Sequence, residues 1–183
     1  CPIAVCITDQ HPHGVWLSRH ADLFLVASES ARKRVVESGL DAERVHVVGI
    51  PVAPQFGRVP KLEARAELAI APDAPVLLLT GGGLGLGGLE QAVEGAIAAR
   101  TGAHLIVVCG RAEDLRRRVE SLVRAASSPA TVLGFSHRMH ELMAAADVLV
   151  GKPGGLTTAE ALASTLPMVL LNPIPGQEEA NAD

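Results

Sequence analysis

The chain has 183 residues, 48% of them hydrophobic and 20% charged, with a net charge of −4, enough to bury one good core or two small ones. That acidic balance argues against a nucleic-acid binder, and no apolar run approaches the ~18–20 residues of a transmembrane helix or has the pattern of a signal peptide. Aromatics make up only 2%, with one Trp and no Tyr, so Val, Leu, Ile and Ala must fill the interior.

In chain order, strands are predicted at Ile3–Thr8, Leu23–Ala27, Arg44–Val48, Val76–Thr80, His104–Cys109, Ala130–Leu133, Asp147–Val150 and Met168–Leu171. Most are nearly continuous apolar runs, the pattern of parallel strands covered on both faces. Helices are predicted between them at Glu29–Ser38, Gly88–Ala99, Glu113–Ala126, His137–Ala145 and Thr157–Ser164. This βαβα order implies an α/β fold built on doubly wound parallel sheets. The order breaks once, at residues 49–60, where three prolines interrupt all periodicity and mark a linker. Residues 1–58 then hold an incomplete first Rossmann-like domain plus linker, and residues 59–183 a second, nearly complete one. The chain opens on Cys1 at the edge of a strand and ends on Asp183 inside a helical pattern, so we expect an internal fragment of a longer protein.

Cys1, Cys6 and Cys109 lie on or beside predicted strands without CxxC spacing. They are expected to be reduced, buried thiols, favouring a cytoplasmic setting. Arg32-Lys33-Arg34 and Arg116-Arg117-Arg118 fall on predicted helices, where solvated faces account for them better than a phosphate or lipid footprint.

Three turns containing glycine end strands of the second domain. The first, Gly81–Gly88, holds G-x-G-x-x-G at Gly83, Gly85 and Gly88. The matching acidic residue for a dinucleotide ribose is missing, because the next strand ends Cys109-Gly110-Arg111; a P-loop fails too, for no Lys-Ser or Lys-Thr follows. What remains is close backbone approach by a ligand or, equally, a tight strand-to-helix turn. The second turn, Gly151-Lys152-Pro153-Gly154-Gly155, opens a helix at Thr157, where free N–H groups and the helix dipole make a seat for phosphate. Close helix–strand packing is the plainer use of Gly154 and Gly155. The third turn is Pro175-Gly176-Gln177-Glu178; Glu160, Gln177 and Glu178 have the chemistry to hydrogen-bond sugar hydroxyls. Together the turns suit a nucleotide-sugar.

In the first domain, Asp9 follows a strand end, where active-site groups gather in parallel sheets; a helix N-cap is its alternative role. His11 with His13, and His137 with His140, lack a third ligand, so no metal site is expected. Trp16 is either core or one wall of an apolar acceptor cleft. Nucleophilic catalysis finds no support, since there is no G-x-S-x-G and no Cys flanked by glycine turns.

With those residues in place, the chain resembles GT-B glycosyltransferases, above all the diacylglycerol glucosyltransferases and monogalactosyldiacylglycerol synthases. The resemblance rests on Thr8, Asp9, His13 and Trp16 (T-D-x-x-x-H-x-x-W), on Ser28-Glu29, Gly39, Val48–Val52 and Phe56, and on the glycine loop. It continues through Val107–Gly110 and Gly134-Phe135 to Lys152–Thr157 and Pro175–Glu178. It implies a second domain like that of the lipid II N-acetylglucosaminyltransferase, binding UDP-glucose or UDP-galactose. Gly83, Gly85, Gly154, Gly155 and Thr157 would lie near the phosphates. Backbone around Phe135 and Ser136 would hold uracil, Glu160 the ribose, and Gln177 and Glu178 the hexose. Asp9, His13 and Trp16 would face a diacylglycerol-like acceptor.

The resemblance further implies no metal or other cofactor, a general base upstream of Cys1, and peripheral contact with the inner face of the cell membrane. Other readings are a related GT-B protein (the lipid II transferase or a UDP-N-acetylglucosamine epimerase), a non-catalytic nucleotide-binding module, or a Rossmann oxidoreductase.

Overall fold

In a computed structural model of the chain, residues 1–82, 88–171 and 181 are described. The chain divides into two compact units. One comprises Cys1–Val52, Pro153–Ala159 and Pro173–Asp183, the other Ala53–Lys152 and Glu160–Asn172.

The first unit carries β1 (Ala4–Cys6), β2 (Leu23–Val26) and β3 (Val45–Val47), paired in parallel in the order β1-β2-β3, with α1 (Glu29–Glu37) between β2 and β3. Helix α1 starts where it does because the Ser28 hydroxyl accepts the Ala31 N–H at 3.3 Å, satisfying one of the donors a helix start leaves open. It stops at Gly39, whose φ of 95° suits glycine. Ile7, Phe24, Val26, Ala31, Val35 and Val45 form the core of this unit.

Cys1 and Cys6 are exposed, contrary to the expectation of core thiols; only Cys109 is buried. The cause is the two-residue period of an edge strand. Val5 and Ile7 turn toward the core, which puts Cys6 with Ala4 on the open face.

The second unit holds α2 (Lys61–Glu67), β4 (Val76–Thr80), α3 (Leu89–Ala98), β5 (His104–Val108), α4 (Glu113–Ala125), β6 (Ala130–Leu133), α5 (Met139–Ala145), β7 (Val148–Gly151) and β8 (Met168–Leu170). Helix α6 (Gly155–Ala163) joins β7 to β8. The five strands are all parallel, in the order β6-β5-β4-β7-β8. Alternate residues of the sheet feed separate cores. Leu78, Ile106 and Leu149 pack with Ala64 of α2, Leu142 and Met143 of α5, and Ala161 of α6. Leu79, Leu105 and Val107 pack with Leu89 and Val93 of α3 and with Leu115 and Val119 of α4. Helices on both faces make the sheet doubly wound, as its apolar strands predict. Each large aliphatic side chain buried this way contributes about 1.5–3 kcal/mol relative to an exposed one.

Helix α2 is not foreshadowed by the proline-rich stretch before it. Pro60 occupies the N-cap position with extended backbone. The inward face of α2 presents Arg65, 5% exposed. Its guanidinium donates to the Ala145 carbonyl at 3.0 Å, to the Pro72 carbonyl, and to Asp147 Oδ2 at 2.9 Å. Asp147 also receives Lys61 and the Val76 N–H, the latter at 2.8 Å. A cavity of about 260 Å³ lined by Gly57, Lys61, Asp147, Ser164 and Leu166 adjoins this cluster. It lies at the N-terminal ends of β7 and β8, the edge away from the glycine turns.

Lys33, Arg34, Arg117 and Arg118 lie on solvated helix faces, as expected, where Arg117 pairs with Asp114 at 2.5 Å and Arg118 with Glu90 at 2.9 Å. Arg32 departs from that expectation: it is half-buried and donates to the carbonyls of Val45 and Ala42.

Candidate functional site

In the second unit, β4, β5, β6 and β7 all run the same way, so the loops leaving Thr80, Val108, Leu133 and Gly151 gather at one edge. Chain order reverses at β4, with β5 on one side and β7 on the other. Such a switch point opens a crevice beyond the strand ends, the usual ligand position in an open α/β sheet. The two strands flanking it are drawn tightly together. A Cβ on Gly151 would lie 2.9 Å from the Thr80 carbonyl oxygen, so only glycine fits there. The Thr80 hydroxyl accepts the Gly82 N–H at 3.2 Å, and Gly82 and Gly88 have φ of 70° and 78°, turning the chain toward α3. Gly83 and Gly85 lie outside the described residues.

At the ends of β5 and β6 an aromatic cluster forms. Phe135 is 50% exposed. The Arg111 guanidinium sits over its ring at 5.2 Å and the His137 ring meets it nearly at right angles at 4.9 Å. The Ser136 hydroxyl accepts the Arg138 N–H at 3.1 Å, and α5 begins at Met139 rather than at His137. In α6 of the same unit, burial pushes the Glu160 carboxyl above its ordinary pKa.

The first unit contains the start of α6. Gly154 accepts the Thr158 N–H at 2.9 Å, making Gly154 the cap and leaving the first N–H groups of the helix without intrahelical acceptors. The two glycines differ sharply. A Cβ on Gly155 would fall 1.7 Å from the Thr8 carbonyl oxygen, whereas one on Gly154 would meet nothing closer than Thr157 Oγ1 at 4.0 Å. Close packing therefore accounts for Gly155 and not for Gly154.

Asp9 is not a helix cap. The cap of the short 3-10 turn Gly14–Trp16 is His13, whose Nδ1 accepts the Val15 N–H at 3.3 Å. Asp9 instead accepts from the Asn181 side chain at 2.9 Å. Trp16 is half-buried, packs against the core of this unit, and meets the His13 ring edge-on at 6.0 Å. Asp9, Gly155 and Asn181 are thus brought together in one unit.

Asn181 and Arg111 escaped the sequence reading. Asn181 acts on residues at the far end of the chain, and Arg111 drew notice only for not being acidic. Gln177 and Glu178 lie outside the described residues. His11 Nε2 accepts from Arg34 at 3.2 Å, and among the described residues no three His, Cys, Asp or Glu side chains converge.

Residues 76–182 match the family "Glycosyltransferase family 28 C-terminal domain", and residues 1–52 match "Monogalactosyldiacylglycerol (MGDG) synthase". Among curated relatives, the processive diacylglycerol beta-glucosyltransferase of Staphylococcus epidermidis is 31% identical over 99% of this chain and 46% of its own length. That of Staphylococcus haemolyticus is likewise 31% identical, over the same shares. The chain spans about half the length of the curated relatives it matches. Among solved structures, MurG of Acinetobacter baumannii superposes with a TM-score of 0.63 at 18% identity, covering 99% of this chain and 49% of that one. HepE of Anabaena, solved with UDP and glucose, gives a TM-score of 0.61 at 18% identity, covering 92% and 52%. The fold is of the GT-B type.

Proposed function

The chain belongs to glycosyltransferase family 28 through its C-terminal domain, and from that premise we propose that its protein transfers a hexose from a UDP-sugar to diacylglycerol. The observation that carries this reading is Gly154. It is a glycine at a helix start that neither backbone conformation nor packing requires, as expected where a diphosphate comes close to the backbone. Residues 1–58 contribute the acceptor side and residues 59–183 the donor side.

Gly83, Gly85, Gly154, Gly155 and Thr157 approach the phosphates. Backbone at Phe135 and Ser136 holds uracil, Glu160 accepts from the ribose hydroxyls, and Gln177 and Glu178 contact the hexose. Asp9, His13 and Trp16 meet the lipid acceptor. As the sugar–phosphate bond breaks, negative charge grows on the UDP leaving group, and the N-terminus of α6 is placed to stabilise it without a metal ion. The base that takes the acceptor proton lies outside this chain.

No helix among the described residues is long and apolar enough to cross a membrane, and we place the enzyme peripherally at the cytoplasmic membrane face. The relatives named for diacylglycerol glucosylation favour glucose over galactose.

The test is transfer of radiolabelled hexose from UDP-glucose and from UDP-galactose to diacylglycerol in mixed micelles, using the protein that carries this chain. A labelled glycolipid from UDP-glucose supports the reading. No lipid product from either donor, in a folded protein, refutes it.

A further inference from the structure

The cavity at the N-terminal ends of β7 and β8 lies wholly within the second unit, at the sheet edge opposite the glycine turns. Segments distant in sequence wall it. Lys61 comes from the first turn of α2, Met143 and Ala144 from the end of α5, and Ser164 and Leu166 from the turn that follows α6. Gly57 closes one side: a Cβ there would stand 2.2 Å from the Ala163 carbonyl oxygen, so linker and helix end touch backbone to backbone. At about 260 Å³ the space holds roughly eight waters at ~30 Å³ each, and so a ligand of about eight heavy atoms.

The charges in and behind this wall do not balance. Asp147 is the one carboxylate lining the cavity among the described residues, and both its oxygens are taken. Oδ1 accepts from Lys61 at 2.5 Å; Oδ2 accepts from Arg65 at 2.9 Å and from the Val76 N–H at 2.8 Å. Two cations thus share one carboxylate, which leaves a surplus of one positive charge. Arg65 is buried and turns its other nitrogens to the carbonyls of Ala145 and Pro72. The surplus is therefore presented by Lys61, whose side chain is 46% exposed and whose ammonium has further N–H donors besides the one given to Asp147. Ser164 adds a hydroxyl. Its Oγ is shielded from bulk water and has no hydrogen-bond partner among the described residues, a condition that asks for a missing partner in a folded protein. The end of α6 makes no competing demand for a cation, because the carbonyls of Glu160, Ala161 and Leu162 accept from the N–H groups of Ser164, Leu166 and Thr165.

An ammonium and a hydroxyl beside aliphatic side chains match a carboxylate on a short alkyl stem. A phosphate dianion would overshoot a surplus of one charge, and an amine would meet Lys61 as a like charge. We propose that this cavity is a second ligand site, which takes a small aliphatic carboxylate. The ligand's oxygens accept from the Lys61 ammonium and the Ser164 hydroxyl, and its stem packs on Met143, Ala144 and Leu166. Such a site stands whether or not the protein transfers sugar to lipid.

The experiment is calorimetric titration of sodium hexanoate into the protein that carries this chain, with and without excess UDP. Hexanoate should bind with a Kd on the order of 1 mM, unchanged by UDP. Acetate, which lacks the stem, should bind at least about tenfold more weakly, and so should hexylamine, whose charge is reversed. Lys61→Gln should raise the Kd for hexanoate about tenfold, as for loss of a hydrogen bond between charged groups, and Ser164→Ala should raise it about threefold. Ala144→Leu keeps every charge and fills the stem's space, so it should abolish binding. No binding of hexanoate to the folded wild type, hexylamine or inorganic phosphate binding as tightly as hexanoate, displacement by UDP, or full binding in Lys61→Gln or Ala144→Leu would each overturn the proposal. Thermal unfolding without ligand shows whether each variant folds; if neither does, the comparison of hexanoate, acetate and hexylamine on the wild type decides. Absence of sugar transfer leaves this site standing, and absence of hexanoate binding leaves the transferase reading standing.

Discussion

The Thr8 carbonyl oxygen occupies the space that a side chain on Gly155 would need: a Cβ there would stand 1.7 Å from it. The end of β1 and the start of α6 therefore meet backbone to backbone, and residue 155 must be glycine. Gly154, one residue earlier, is under no such constraint.

This contrast separates packing from binding. Gly155→Ala should destabilise the protein by about 1–3 kcal/mol or more, because backbone has to move. Gly154→Ala should leave stability within about 0.5 kcal/mol yet weaken UDP about tenfold or more, equivalent to ~1.4 kcal/mol. Thermal unfolding and calorimetry on both variants check this. A large loss of stability in Gly154→Ala would contradict it.

Glu160 makes a pH signature. Burial raises its pKa above the ordinary 4.5, so the folded state holds this proton more tightly than the unfolded chain does. The resulting stability is complete below pH 4.5, the unfolded value, and is lost as pH rises through the higher folded value. Glu160→Gln should therefore unfold less steeply with pH across that window. UDP binding should have the opposite slope, strengthening as Glu160 ionises, because a carboxylate accepts ribose hydroxyls better than its acid does. Chemical unfolding and UDP titration over the same pH series test both signs.

Asp147 is the hub that ties α2 to the sheet. Burial by itself pushes its carboxyl up. The hydrogen bonds from Lys61 and the Val76 N–H, with the charges of Lys61 and Arg65, outweigh that and bring it below the ordinary 3.8. Its contribution is present above that value and is lost as pH falls through the lower folded one. Asp147→Ala strands the buried Arg65 guanidinium. The cost should be about 2–3 kcal/mol, less than the ~3–5 of a fully buried pair, because the Asp147 side chain is 39% exposed and water partly replaces it. Denaturant unfolding of the variant measures it.

Much of this fold was legible because parallel strands covered on both faces are written as plain apolar runs. Val76–Thr80 and Ala130–Leu133 fall where their sequence puts them, and the other strands differ by a residue or two at their ends. Helix α2 was not legible, because its hydrophobic signal is inverted: Leu62 points outward and Arg65 inward. The buried arginine is stabilised by carbonyls and a carboxylate from distant segments, which no local periodicity announces. Similarly, α6 begins at Gly155, two residues before the threonines that looked like its start, because glycine is what fits beneath Thr8. The Asp9–Asn181 pair joins opposite ends of the chain, and only the folded topology brings them together.

The cysteines provide a further check on burial. Cys109 is fully buried, and burial raises its thiol pKa to about 11, with Arg116 opposing and Glu120 and Glu113 assisting. In the native protein Cys1 and Cys6 should react readily with a thiol reagent, while Cys109 should react only on unfolding. Rapid native labelling of Cys109, read by peptide mass, would contradict the packing described for β5.

The most direct test of the central claim is calorimetric titration of UDP, with NAD as the competing ligand, into the protein that carries this chain and into its Glu160→Ala variant. UDP should bind, NAD should not, and the variant should weaken UDP by ~1–3 kcal/mol, the cost of leaving a buried hydrogen-bond partner unsatisfied. A folded protein that binds neither ligand, or that binds NAD in preference, would contradict it.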